Sequence, residues 1–206
     1  MTTTTTISIL DPGAIPAALT ILRERGLIAF PTDTVYGLAS GIDSEASIRQ
    51  LFLAKGRNWT KAIAVLIGEM EQLPIVTPNL PPAALELASR FWPGALTLIV
   101  PRNIHLPALI SPLPTIGVRM PNHPFALSLL RQTGPLATTS ANLSGQTSPL
   151  TARDVINQLD GKVDLILDGG PCPGGVPSTV VDCTTPELRV LREGAISPKD
   201  LFPSRK

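Results

Sequence analysis

Short apolar runs recur along this sequence and restrict what it can fold into. The clearest are LIAF at 27–30, AIAVLIG at 62–68, LTLIV at 96–100 and IGVRM at 116–120. A run of that length, bounded by turn residues, is typical of a buried strand. Prolines, 22 in all, concentrate at the ends of such runs. The sequence therefore predicts many short strands joined by rigid turns.

Segments with helical spacing separate these runs. Apolar residues recur on one face of residues 14–25, and Gly26 is expected to cap that helix. Ser44 and Thr151 can each cap a further helix. His123 opens another helix-like segment, where we interpret it as a capping or packing residue. Strands interleaved with helices predict an α/β fold, and a group of strand-like runs near the C-terminal end predicts some antiparallel pairing.

Composition favours one soluble domain. The chain has 206 residues, of which 43% are hydrophobic, which is enough to bury a core. No apolar run approaches the ~18 to 20 residues that span a bilayer, and the threonine-rich start lacks the pattern of a secretory signal. We therefore expect a cytoplasmic protein without a membrane contact. Cys172 and Cys183 have no metal-ligand spacing, so both are expected to be free thiols.

Charge is distributed unevenly along the chain. The net charge of +1 argues against a strongly electrostatic binder of nucleic acid. From residue 46 to 153, however, there are three carboxylates (Glu69, Glu71, Glu86) and nine cationic residues: Arg49, Lys55, Arg57, Lys61, Arg90, Arg102, Arg119, Arg131 and Arg153. This distribution favours anion binding if the cations converge in the fold. The spacing alone is about equally compatible with cations that are scattered over solvent-exposed faces.

Several common catalytic patterns are absent from the sequence. The Gly161-Lys162 pair precedes Val163, so no phosphate-binding P-loop is present, and neither a GxGxxG nor a GxSxG pattern follows a strand. His105 is expected to face solvent, and neither histidine has the spacing of a metal site. Any chemistry is therefore predicted to rest on cations and hydroxyl groups.

Polar residues collect at four places next to predicted strands. These are PTDTVYGL at 31–38, Lys55 with Arg57 and Lys61, TTSANLSGQTSP at 138–149, and Ser178-Thr179 together with Arg192. Threonine hydroxyls are compact donors and acceptors, and an arginine can bind phosphate through two parallel hydrogen bonds. Each place also has a plainer interpretation, because polar turns and loops often satisfy their own hydrogen bonds.

Taken in order, these segments resemble the YrdC-like threonylcarbamoyl-adenylate synthases. The motifs PTDTVYGL, KxR, FWPGALT, IGVRMPNHP, TSANLSG, PSTVVD and VLREGAIS occur in the family's order across roughly residues 10–198. The resemblance implies a single domain over 10–198, with an N-terminal segment at 1–9 and a tail at 199–206, in the short form without an extra C-terminal domain. It also implies a twisted mixed sheet flanked by helices around a concave, positively charged cavity.

The family resemblance further implies a reaction and its site. L-threonine, bicarbonate or CO₂, and ATP would give threonylcarbamoyl-AMP and pyrophosphate for a downstream tRNA-modifying transferase complex, with Mg²⁺ held by the ATP phosphates rather than by protein ligands. Family positions for catalysis are matched by Lys55, Arg57, Ser140 and Asn142. Positions that bind ATP are matched by Arg57, Lys61, Ser140, Ser148 and Arg192. Positions that bind threonine are matched by Thr34, Arg119, Thr138 and Ser178.

Two other functions remain open from the sequence. A cationic hollow could hold tRNA or double-stranded RNA without catalysis, although only eight residues are aromatic, Trp 2, Tyr 1 and Phe 5, which is few for base stacking. A related carbamoyl transfer, as in hydrogenase-maturation proteins of the same fold, would need accessory segments for which we expect no room here. Pyrophosphate release that depends on threonine distinguishes the synthase from both.

Overall fold

The computed structural model describes residues 3–202, and these form ten strands. The strands are β1 (Thr5–Ser8), β2 (Ile28–Phe30), β3 (Gly37–Gly41), β4 (Ala64–Leu66), β5 (Leu96–Pro101), β6 (Thr115–Arg119), β7 (Leu136–Ser140), β8 (Leu165–Asp168), β9 (Thr179–Asp182) and β10 (Arg189–Arg192). Every apolar run named above overlaps a strand. The last four residues of the predicted tail lie outside the described part of the chain.

The helices between the strands are α1 (Ala14–Arg23), α2 (Glu45–Lys55), α3 (Leu73–Val76), α4 (Pro82–Phe91), α5 (Pro124–Thr133), α6 (Ala152–Leu159) and α7 (Pro198–Leu201). Ser44 and Thr151 cap α2 and α6 as predicted, and the Nδ1 atom of His123 accepts a hydrogen bond from the Ala126 amide at the start of α5. His105 is exposed, and both cysteines are buried free thiols. Among the described helices, none has the length and apolar character that crossing a membrane requires.

All ten strands belong to one sheet, in the order β1-β8-β2-β3-β7-β4-β6-β5-β9-β10. Four pairs are parallel and five are antiparallel, including β9 with β10 near the C-terminal end. The predicted mixed sheet flanked by helices is confirmed. Strand β1 lies in the segment expected to precede the domain, yet it pairs with β8 from Thr5 opposite Leu165 to Ser8 opposite Asp168, so the sheet extends into that segment.

The sheet separates two cores. Successive side chains of a strand point to opposite faces. Val65 of β4 and Leu98 of β5 belong to a large cluster that includes buried residues of α2, α4 and α6. Leu66 of β4 and Leu136 of β7 belong to a second cluster that includes buried residues of α1 and α5. The sheet thus has a face covered by α2, α4 and α6 and a face shared by α1 and α5.

The end of α1 differs from the prediction that Gly26 caps it. The left-handed conformation is taken by Arg25, with φ of 64°, and the Gly26 amide donates to the Ile21 carbonyl at 2.8 Å. Gly26 is needed for space instead, because a Cβ there would lie 2.7 Å from Ile21 Cγ2 and 2.8 Å from Asp164 Oδ2. The arginine therefore carries the backbone strain, and the glycine allows the chain to pass Asp164.

Substitutions at Arg25 and Gly26 are expected to have opposite effects on the free energy of unfolding. Arg25→Gly should raise the free energy of unfolding by about 0.5–1 kcal/mol, because glycine adopts the left-handed conformation without a Cβ clash. Gly26→Ala should lower it by about 1–3 kcal/mol through overpacking against Ile21 and Asp164. Chemical denaturation of both variants measures the difference. Equal shifts of the same sign would contradict this account of the turn.

Candidate active site

A cavity of about 310 Å³ lies on the sheet face shared by α1 and α5. Helix α1 packs over β2, β3 and β8, and the cavity occupies the same face over β4, β5 and β6. Alternate residues of these strands point into it: Ala64 and Leu66, Thr97 and Ile99, and Gly117 and Arg119. Because side chains alternate along a strand, the residues between them point to the core on the opposite face of the sheet, and this row points to the cavity.

The cavity collects most of the predicted site residues. Eight of the eleven candidates line it, and they come from segments far apart in sequence: Thr34, Arg57, Arg119, Thr138, Ser140, Ser148, Ser178 and Arg192. The other three, Lys55, Lys61 and Asn142, are not among its lining residues. For these three, the contacts to ATP implied by the family resemblance stay predictions.

Arg119 is buried in the cavity wall and is held at three points. Its Nε donates to the Gly94 carbonyl at 2.9 Å, one terminal nitrogen donates to Thr34 Oγ1 at 3.0 Å, and the other to Asp33 Oδ1 at 2.5 Å. Burial lowers the pKa of Arg119, and the Asp33 carboxylate opposes that shift. A guanidinium has five N–H groups and stays protonated in proteins. Within the described structure, one N–H on each terminal nitrogen remains for a ligand.

Arg192 and Ser178 form a second polar group on the wall. The Nε and one terminal nitrogen of Arg192 donate to the Ser178 carbonyl at 3.1 and 2.8 Å, and that terminal nitrogen also lies 3.2 Å from Ser178 Oγ. The Ser178 hydroxyl shares a 2.8 Å hydrogen bond with the Thr97 hydroxyl. Edge strand β10 therefore contributes a cation, and the loop before β9 a hydroxyl that is already oriented.

Lys55 lies behind the wall and supports it. Its side chain is 2% exposed, and Nζ donates to the carbonyls of Ser140 and Asn142. Burial lowers the pKa of Lys55 to about 7, and the nearby Arg57 charge acts in the same direction. The Asn142 side chain accepts from Ser140 Oγ and donates to the Leu143 and Gln146 carbonyls. In this structure Lys55 and Asn142 both fix the segment that presents Ser140.

Arg57 reaches the cavity from the loop after α2. Gly56 ends that helix in the left-handed conformation, with φ of 57°, and the chain turns so that Arg57 lines the cavity. Its Nη2 donates to the Ala62 carbonyl at 2.8 Å and its Nε to the Lys61 carbonyl at 3.4 Å. The side chain of Lys61 is exposed. Arg57 thus keeps three N–H groups beyond these two bonds.

The structure adds residues that the sequence did not single out. Thr97 is 6% exposed and lines the cavity. It is the only hydroxyl in the apolar run LTLIV, and a polar group in a predicted buried strand needs a partner, so this signal was available. The Gly94 carbonyl, which accepts from Arg119, had no signal of its own, because a main-chain acceptor is not visible in a side-chain pattern.

The described residues do not offer a metal-binding cluster of histidine, cysteine and carboxylate side chains. No acidic side chain is among the residues that line the cavity. Mg²⁺ prefers several oxygen ligands in octahedral geometry and is often held mainly by substrate phosphates. The side-chain oxygens that the described lining offers to a cation are those of hydroxyl groups.

Fold and cavity together define the class of protein. It is a mixed α/β protein with a concave site whose charged lining residues, in the described chain, are the three arginines Arg57, Arg119 and Arg192, set among hydroxyl groups. Such a lining suits an anionic ligand beside one that forms many hydrogen bonds. The chain belongs to the Sua5/YciO/YrdC family, whose model, described as "Telomere recombination", matches residues 20–194.

Known proteins support this assignment. The chain is 42% identical over 194 residues to a Bacillus subtilis protein named threonylcarbamoyl-AMP synthase, covering 93% of this chain and 56% of that one. The structure of Pyrococcus abyssi Sua5 complexed with L-threonine matches with a TM-score of 0.89 and 37% identity, over 98% of this chain and 60% of the other. E. coli YciO matches at 0.84 and 27%, over 98% and 100%. The chain thus spans 56% of the Bacillus subtilis relative and 60% of the Pyrococcus abyssi one.

Proposed function

We propose that the chain is an L-threonylcarbamoyladenylate synthase, a nucleotidyltransferase that uses L-threonine, bicarbonate or CO₂, and ATP. One observation carries the proposal: eight side chains at family positions for ATP and threonine, from six separate segments, line one cavity. If these residues lay on different faces of the protein, they could not act on one reaction. The name printed for the 42% identical relative points to the same activity.

The part of the cavity around Arg119 suits the amino acid. Two free N–H groups on neighbouring nitrogens match the two oxygens of a carboxylate. Thr34, Thr138 and Ser178 place hydroxyl groups in the same cavity, where they can meet the amine and the side-chain hydroxyl of threonine. A solved relative of the same fold was crystallised with L-threonine.

The remaining cations suit the nucleotide. Arg57 and Arg192 line the cavity, and neither has a carboxylate partner among the ion pairs of the described residues. Ser148 adds a hydroxyl donor. The Ser140 hydroxyl donates to Asn142 Oδ1 in this structure, so it offers an acceptor and would have to rotate to donate to a phosphate. Mg²⁺ bound to the triphosphate would neutralise part of its charge. Lys55 and Asn142 would act through Ser140, whose segment they hold.

The proposed reaction needs no covalent bond to the protein. The threonine nitrogen bonds to the carbon of CO₂ and loses a proton, which gives a carbamate. A carbamate oxygen then attacks the α-phosphorus of ATP, and the bond to the bridging oxygen breaks as pyrophosphate leaves. The carbamate and the triphosphate repel each other, so the arginines stabilise the approach and the growing charge on pyrophosphate. Holding both reactants in one cavity supplies further acceleration.

The product would be passed on, since a mixed anhydride of a carbamate and AMP is hydrolysed readily. We propose a downstream tRNA-modifying transferase complex as the acceptor. Direct contact of this chain with tRNA would be detected by a pull-down with labelled tRNA.

Pyrophosphate release tests the proposal. The purified chain is incubated with ATP, Mg²⁺ and labelled bicarbonate, with each amino acid in turn. We expect pyrophosphate, and labelled product, with threonine and not with serine or valine at matched concentration. Release that is equal without any amino acid would contradict the synthase. Absence of release, together with salt-sensitive retention of RNA, would contradict it and favour an RNA-binding protein.

A further inference from the structure

Asp33 sits behind Arg119 and does not line the cavity. The flanking residues Thr32 and Thr34 do line it. The carboxylate accepts from the terminal nitrogen of Arg119, and the two side chains are 13% and 7% exposed. The pair is therefore largely shielded from water. In such a buried environment a charge acts more strongly on its neighbours than it does at the surface.

The pairing distinguishes Arg119 by charge from the other two arginines of the cavity. Arg119 has a carboxylate partner, whereas the ion pairs of the described residues include neither Arg57 nor Arg192. Arg192 is close enough to lower the pKa of Arg119 further, in the direction opposite to Asp33. Without Asp33, none of the three arginines that line the described cavity would have a carboxylate partner.

The two reactants differ in the same way. An amino acid at neutral pH is a zwitterion with no net charge, whereas a nucleotide triphosphate or its pyrophosphate part is strongly anionic. A neutral arginine–aspartate pair can still donate two hydrogen bonds to a carboxylate but gives little net attraction to an anion. An unpaired arginine attracts any anion, phosphate included.

We propose that Asp33 is a specificity-determining positioning residue, which fixes the Arg119 guanidinium and cancels its charge so that the site around Arg119 takes a zwitterionic amino acid rather than an anion. The inference rests on the proposed function of the cavity and adds to it a residue that selects for the amino acid at Arg119. Asp33 acts through Arg119 and does not itself need to touch the amino acid.

Matched ligands test the charge role directly. L-Threonine and 2,3-dihydroxybutanoate, which has a hydroxyl in place of the ammonium and is an anion, are titrated calorimetrically into wild-type protein and Asp33→Asn. We expect the wild type to prefer threonine. In Asp33→Asn the ratio of the two affinities should shift toward the anion by about 10-fold or more, the scale of a hydrogen bond to a charged group. Asp33→Glu, which keeps the charge, should restore most of the preference.

Controls separate selectivity from folding. Asp43 is exposed and in no ion pair of the described chain, so Asp43→Asn should leave both affinities unchanged. Parallel weakening of both ligands in Asp33→Asn, or an unchanged ratio, would overturn the role of Asp33 and leave the synthase proposal standing. Wild-type protein that binds no threonine would overturn the proposed function, and this inference with it. If Asp33→Asn does not fold, the ratio in Asp33→Glu decides: a shift toward the anion despite the retained charge overturns the inference.

Discussion

Lys55→Met should lower the free energy of unfolding by about 2–4 kcal/mol at pH 10. Methionine keeps the apolar stem of lysine but removes the nitrogen that donates to the carbonyls of Ser140 and Asn142. The buried Asn142 carbonyl then loses this partner, at a cost of about 1–3 kcal/mol before relaxation. The Ser140 carbonyl keeps its bond from Thr139 Oγ1 and loses one hydrogen bond, which contributes about 0.5–1.5 kcal/mol. Urea denaturation followed by circular dichroism measures the change. A cost below 0.5 kcal/mol would mean that the two hydrogen bonds contribute nothing to stability.

The destabilisation should also depend on pH. The pKa of Lys55 is about 7 in the folded protein and about 10.4 in an unfolded chain. Between these values the unfolded state binds the extra proton, so the stability of the wild type rises with pH relative to Lys55→Met. We therefore expect the difference between the two proteins to grow from pH 7 to pH 10, by at most about 1.4 kcal/mol per pH unit.

A second lysine provides the control for this measurement. Lys61 is exposed, so Lys61→Met should change the free energy of unfolding by less than about 0.5 kcal/mol at either pH. Groups that titrate in both variants cancel when the two are compared at the same pH. A difference for Lys55→Met that shrinks as the pH rises would show that the buried amine stays charged in the folded protein.

The fold was predictable to the extent that local patterns decide it. Strand β5 and helix α6 follow from an apolar run and a capping box, both of which act within a few residues. Strand β1 was not predicted, because TTIS is exposed on most of its length and becomes a strand only by pairing with β8, more than 150 residues away. The turn at Arg25 escaped prediction because glycine is the usual left-handed residue.

The resemblance named residues that the fold brings to one cavity, but it did not give their geometry. The resemblance selected Arg119 and Ser178, which the sheet brings into one cavity. The resemblance did not indicate that Lys55 points to main-chain carbonyls. The KxR spacing places both residues near the end of a helix, but it does not set the direction of a flexible lysine side chain. The resemblance also could not reveal the pairing of Asp33 with Arg119, since residues 86 positions apart meet only in the folded chain.

Arg57 provides the sharpest test of catalysis, because it combines a position on the cavity wall with N–H groups that no described residue uses. Its contacts are two carbonyls of its own loop, so it is not required by the core. A variant at this position should therefore remain folded. Any loss of activity then reports on the ligand and not on the fold.

Arg57→Ala should reduce kcat/KM for pyrophosphate release by about 30- to 1000-fold, which corresponds to about 2–4 kcal/mol, the scale of one preorganised donor that stabilises developing charge. Arg57→Lys should recover only part of this, because a lysine offers a point charge without the planar fork. Arg153→Ala, at an exposed position of α6, is the matched control and should stay within about 2-fold of wild type, since surface substitutions away from a site have small effects.

Because the attacking carbamate and the triphosphate are both anionic, the loss in Arg57→Ala should appear in kcat as well as in KM for ATP. A loss confined to KM would instead assign Arg57 to ground-state binding alone.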